Sequence, residues 1–163
     1  PKSYSPPHER GGAECCERGV LAGDALVGGK AALVDGSYHD VDSSEMAFKL
    51  ATAIAYKEGI PKAKPVILEP IMSCKVTVPE SYTGDIMGDF NKRRARVMGV
   101  EPIEGTDQCV IEAEAPQANM MNYPIDLRSM TQGRGNFDME FVRYEQVPSD
   151  VQNQIIQKAK EEA

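Results

Sequence analysis

Pro70-Ile71-Met72-Ser73-Cys74-Lys75-Val76-Thr77-Val78 alternates apolar and polar side chains, the period of a strand with one buried face. Two later stretches repeat the pattern. Cys109, Ile111 and Ala113 alternate with Val110, Glu112 and Glu114, and Phe137, Met139 and Phe141 alternate with Asp138, Glu140 and Val142. Between the first two strands a helix is predicted from Thr83 to Arg94, with Ile86 and Phe90 one turn apart, followed by a strand over Arg96 to Ile103. A second helix begins near Pro116, a residue tolerated in a first turn. Met120, Tyr123, Leu127 and Met130 share its apolar face, and Pro124 should kink it. The order β-α-β-β-α-β over about 80 residues is the split βαβ plan, with two helices on one face of a four-stranded antiparallel sheet. Its first and third strands are central neighbours. Cys74 and Cys109 should therefore both point at the helices as small core hydrophobes, and the opposite face is left for partners.

Towards the N-terminus, Gly59, Pro61 and Pro65 interrupt the helical period and mark a domain junction. Before it, Asp42-Ser43-Ser44-Glu45 has capping-box spacing, and Met46, Leu50, Ala53 and Ile54, flanked by Ala47 and Ala51, should form the apolar face of a helix ending near Glu58-Gly59. Lys30 to Val34 suits a short strand, joined to that helix by the turn-rich Gly36-Ser37-Tyr38-His39-Asp40. After Pro148, Ser149 and Gln152 offer a second capping box, opening a polar helix with a thin stripe of Val151, Ile155 and Ile156. The class is α+β. Residues 1–64 read as a partial split βαβ domain, 65–147 as a ferredoxin-like domain and 148–163 as a C-terminal helix.

The 163 residues are 41% apolar and 26% charged, which suits a globular fold, and carry a net charge of −7. That charge excludes nucleic-acid binding by bulk electrostatics, so any RNA contact must be local. No run of about 18 apolar residues exists, and Pro1-Lys2-Ser3-Tyr4-Ser5-Pro6-Pro7 lacks the pattern of a signal peptide. A cytoplasmic location with no membrane role is expected. Cys15, Cys16, Cys74 and Cys109 have the spacing of neither a zinc knuckle nor a CxxC pair, so free thiols are expected. Asp85, Asp89 and Asp126 read as caps and exposed faces rather than a metal or acid–base cluster. No GxxxxGK[ST] loop is present, so neither GTP hydrolysis, catalytic residues nor a metal is expected in this chain.

Four runs carry a resemblance. Asp35-Gly36-Ser37-Tyr38-His39-Asp40-Val41-Asp42-Ser43-Ser44-Glu45-Met46-Ala47-Phe48-Lys49 resembles the signature of the fourth domain of elongation factor G, the ribosomal translocase. Leu68-Glu69-Pro70-Ile71-Met72, Gly84 to Arg94 and Asp126 to Gly135 continue the likeness in the same order. The resemblance implies the second half of domain four followed by a complete domain five. It further implies that the GTPase half, which would hold GTP and Mg, lies in sequence before Pro1. The partners implied are the ribosome's tRNA–mRNA duplex at the decoding centre, met by the tip Ser37, Tyr38, His39 and Asp40, and rRNA near the sarcin-ricin loop and stalk base. Lys92, Arg93, Arg94, Arg96, Arg128 and Arg134 are the candidates for RNA or interdomain contacts, with Gly133 and Gly135 letting the backbone bend around Arg134. A ribosomal protection protein of the tetracycline-resistance type, or a recycling paralogue, shares this architecture. An acylphosphatase-type enzyme is the remote alternative, and Pro79-Glu80-Ser81-Tyr82 makes a poor anion cradle for it.

Two stretches depart from the family pattern. Pro6, Pro7, Gly11 and Gly12 stand where the family has an amphipathic helix over residues 5 to 18 and argue against helix there. Asp24-Ala25-Leu26 replaces aromatic and apolar residues. The other tip loop and the remaining strands of domain four are expected before Pro1, which would leave an edge able to pair with another copy.

Overall fold

The computed structural model describes residues 5–162; residues 1–4 and 163 lie outside the described residues, including the first four of the start read against a signal peptide. The chain divides into two compact units, residues 68–147 and residues 1–67 with 148–163.

The first of these has the elements β1 (Leu68–Pro79), α3 (Thr83–Lys92), β2 (Arg96–Pro102), β3 (Gln108–Pro116), α4 (Gln117–Met120), α5 (Tyr123–Met130) and β4 (Asn136–Gln146). All strand pairs are antiparallel, in the order β2-β3-β1-β4. Cys74 lies opposite Ala113 of β3 and Met139 of β4, and Val78 opposite Cys109, so the inward residues of the two central strands form one layer. Cys74, Val76, Val78, Cys109, Ile111 and Ala113 are all buried. Ile86 and Phe90 of α3 and Met120, Tyr123 and Leu127 of α4 and α5 close over them, also buried. Each such side chain contributes roughly 1.5–3 kcal/mol by leaving water. The expected α+β plan is therefore realised, including the two cysteines on the helix side.

Two details differ from the sequence expectation. The second helix is not kinked but divided: α4 stops at Met120 and α5 restarts at Tyr123 with Pro124 in its first turn, where a missing N–H costs no bond. Phe141 is 54% exposed rather than inward. The β1–β4 register slips there, Met72 facing Phe141 and Ile71 facing Arg143, so Val142 is the extra residue of a bulge. Phe141 then packs on Tyr144, with ring centres 5.2 Å apart.

The other unit contains α1 (Ser5–Cys16), α2 (Glu45–Gly59) and α6 (Ser149–Glu161). Against expectation, α1 is helical. Pro6 and Pro7 occupy its first turn, and Gly11 lies where a Cβ would meet the Lys49 Cα at 3.2 Å, so glycine here permits a close helix crossing. The pair is joined by Glu14–Lys49 at 2.8 Å, Arg10–Glu45 at 3.2 Å, His8 Nδ1–Thr52 Oγ1 at 2.8 Å and the His8 ring on Phe48.

That packing overturns the predicted apolar face of α2. Met46, Leu50 and Ile54 are 76%, 60% and 52% exposed, because α1 covers the Phe48–Thr52 side instead. The N-cap is Ser44, whose Oγ accepts the Ala47 N–H at 3.1 Å; Asp42 lies two residues too early. Residues 30–34 are not a strand: among the described residues no extended segment of this unit pairs with them, and without a ladder partner their backbone stays open to water. In α6 the second capping box is absent. Ser149 is already helical, and the Gln152 side chain instead accepts the Ile67 N–H at 3.0 Å.

Candidate nucleic-acid interface

Three short bonds shape the turn before α2. The His39 N–H donates to Ser43 Oγ at 2.8 Å, the Ser43 N–H donates to the His39 carbonyl at 3.0 Å, and the Val41 N–H reaches His39 Nδ1 at 3.4 Å. His39 Nδ1 also stands 3.5 Å from an Asp42 carboxylate oxygen. The backbone is held while the imidazole, with its side chain 71% exposed, projects into solvent. Ser37, Tyr38 and Asp40 are exposed beside it. Such a turn offers an aromatic face and N–H donors, the groups that stack on bases and bind riboses or phosphates.

The basic run after α3 disperses in three directions. Arg93 turns inward. Its Nε donates to Asp89 at 2.6 Å, Nη1 to the Asn119 carbonyl at 3.0 Å and Nη2 to Asp126, while its guanidinium lies 5.0 Å from the Tyr123 ring centre. Asn119 Nδ2 returns a bond to the Arg93 carbonyl. Burial works against the charge, but the bonds to Asp89 and Asp126 outweigh it and raise the guanidinium above its ordinary value. Arg94, in the left-handed region at φ 59°, makes a forked pair with Glu69 at 2.7 and 3.1 Å. Arg96 pairs with Glu114 at 2.8 Å on the sheet face away from the helices. Lys92, at the end of α3, is exposed and makes no ion pair among the described residues.

Sequence reasoning missed the centre of that sheet face. Glu114 accepts from Arg143 twice, at 2.8 and 3.0 Å, as well as from Arg96, and Arg143 continues to Glu145. The Arg143 bonds, opposed by burial and aided by Arg96, lower the Glu114 carboxyl to about 2. The signal was present in the alternation, since Glu112 and Glu114 fall on the polar side of their strand. Arg143 escapes it because the bulge at Val142 changes which β4 residues face that way.

Arg128 and Arg134 stay outward. At the end of α5 the Thr131 hydroxyl donates to the Leu127 carbonyl at 2.7 Å and accepts the Gly135 N–H at 2.9 Å. Gln132 and Gly133 then take left-handed conformations at φ 53° and 81°, and the Gly133 N–H closes on the Arg128 carbonyl at 2.8 Å. One rigid turn thus carries two exposed guanidiniums, neither in an ion pair among the described residues. Gly135 is required by contact, since a Cβ there would sit 2.8 Å from Leu127 Cγ.

Comparison with known families matches residues 1–64 to elongation factor G, domain IV, and residues 66–155 to the elongation factor G C-terminus. This chain belongs to the elongation factor G family. A crystal structure of a protein from Thermus thermophilus is similar over 100% of the chain, with 38% identity and a TM-score of 0.82. The chain covers 24% of that protein, so it spans about a quarter of its length. The sequence contains no GxxxxGK[ST] loop, and among the described residues no group of three or more His, Cys, Asp or Glu could hold a metal ion. Among the described residues no helix is long and apolar enough to cross a membrane.

Proposed function

We propose that this chain is the ribosome-contacting C-terminal part of a cytoplasmic GTP-dependent translocase, whose movement of tRNA and mRNA is powered by a GTPase domain elsewhere in the parent protein. The observation that carries the reading is the collinear match to both elongation factor G domains across residues 1–155. In this reading the Ser37–Asp40 turn meets the tRNA–mRNA duplex at the decoding centre, and the unit of residues 68–147 docks on rRNA near the sarcin-ricin loop and stalk base. Arg128 and Arg134, outward on one turn, carry the phosphate contacts with Lys92. Arg93 acts by holding α3 to α4 and α5. Arg94 and Arg96 are engaged on the sheet.

The test is binding of the 163-residue chain to purified bacterial ribosomes across a salt series. Binding should saturate and weaken with salt. Arg128→Ala/Arg134→Ala should reduce the log–log salt slope by about one to two, as expected for two lost phosphate contacts. An unchanged slope in the double variant would remove these residues from the interface. In the full-length parent, His39→Ala should slow translocation while leaving ribosome affinity within about twofold, since one exposed side chain adds little to a large interface.

A further inference from the structure

Asp35-Gly36 is the one Asp-Gly step in the sequence, and no Asn-Gly step occurs. Both residues are exposed, and residues 31–39 belong to no helix or ladder, so no regular backbone bonding holds the Gly36 amide in place. The Gly36 N–H instead donates at 2.8 Å to Asp35 Oδ1, an oxygen of the carboxylate just before it. A Cβ built on Gly36 meets nothing within 4 Å, so the space around that amide is open.

The aspartates that follow in the same turn lack this arrangement. After Asp42, the Ser43 N–H is committed to the His39 carbonyl at 3.0 Å. After Asp40, the branched side chain of Val41 crowds the amide, whose N–H reaches His39 Nδ1 at 3.4 Å. Asp89 and Asp126 lie in helices and Asp138 in a paired strand, where hydrogen bonds hold the backbone angles. Only at Asp35 does a carboxyl group rest against an unhindered amide nitrogen in open chain, and such proximity favours ring closure.

We propose that Asp35-Gly36 is a modification site at which the backbone rearranges, Asp35 closing to a succinimide and reopening as isoaspartate. The Gly36 nitrogen attacks Asp35 Cγ: one N–C bond forms and one C–O bond breaks. The departing oxygen leaves as water, taking the amide proton and one proton from solvent. Water then adds at either ring carbonyl and breaks its bond to nitrogen, and nothing is oxidised or reduced. Opening at the original peptide carbonyl routes the chain through Cβ and Cγ, adding one carbon to the backbone just before Ser37 and freeing an α-carboxylate. That carboxylate is the group an S-adenosylmethionine-dependent isoaspartyl methyltransferase esterifies. On the reading in which the Ser37–Asp40 turn meets the tRNA–mRNA duplex, the added carbon displaces the tip.

The test is ageing of the whole chain at neutral pH, read by intact mass, by peptide mapping with electron-transfer fragmentation, and by methyl transfer from S-adenosylmethionine with an isoaspartyl methyltransferase. A species lighter by one water should appear first. Isoaspartate should follow at residue 35, at least about tenfold faster than at any other aspartate, because only glycine leaves the attacked amide unhindered. Gly36→Ala, whose methyl meets nothing, should slow the reaction about tenfold with unchanged circular dichroism. Asp35→Asn should speed it, with ammonia as the leaving group, and Asp35→Glu should remove it. A peptide of residues 31–40 should age within about threefold of the whole chain, since no fold contact has to open first. Isoaspartate arising first at another residue, equal ageing in Gly36→Ala, or a chain more than about tenfold slower than the peptide would each overturn the proposal. All of these readouts are taken without ribosomes, so they stand or fail separately from ribosome docking.

Discussion

Arg93 shows how far a residue's neighbours in sequence misstate its surroundings. Lys92, Arg93 and Arg94 read as one basic patch, yet the middle residue is the one with its side chain only 18% exposed and three elements attached. Arg93→Ala should cost about 2–3 kcal/mol in urea unfolding, because it strands Asp89 and the Asn119 carbonyl without their donor. Arg93→Lys should recover less than half of that loss, since an ammonium cannot reproduce the fork. Glu114 makes a prediction in pH. Its folded value lies at about 2 against an ordinary 4.5, so its contribution is complete above 4.5 and disappears as pH falls towards 2. The urea midpoints of the unsubstituted chain and Glu114→Gln should therefore converge over that interval; a constant gap would show that Glu114 is not the group titrating. Gly135→Ala should destabilise by about 1–3 kcal/mol through its clash with Leu127, and Leu127→Val beside it should recover part of the loss.

At the scale of elements, alternation identified β1, β3 and β4 of residues 68–147, and β2 was read as the strand between α3 and β3. A paired strand buries alternate residues on a face that its ladder fixes, so the pattern and the packing are the same fact. Helices are less legible. The exposed Met46–Leu50–Ile54 stripe of α2 was readable as apolar, but which face α1 would occupy depended on Gly11 and on contacts to Lys49 and Thr52, which no period records. The α1 glycines separate these effects. Gly12→Ala should stabilise α1 by up to about 1 kcal/mol, because its added methyl meets only the Thr52 methyl at 4.0 Å. Gly11→Ala should gain markedly less, since the Lys49 backbone at 3.2 Å must yield. Amide exchange along α1 measures both, and equal protection in the two variants would contradict the close crossing. Of the candidate site, the tip turn was legible as a motif, while the division of the cations depended on the left-handed Arg94 and the bulge at Val142.

For the whole molecule, residues 68–147 hold a core built wholly from their own strands and helices. Prepared alone, that segment should unfold in one cooperative urea transition with mixed helix and strand circular dichroism; a broad, non-cooperative transition would show that its core is incomplete. The pairing of Leu68 with Gln146 places the two ends of this segment side by side on adjacent antiparallel strands. A tensile load carried through those ends would meet the β1–β4 bonds one at a time, as a zipper does, and never as a row in shear. The domain resists heat and denaturant through its core, but under tension applied at its ends it should be compliant, opening from β4 at low load and closing again when the load is removed.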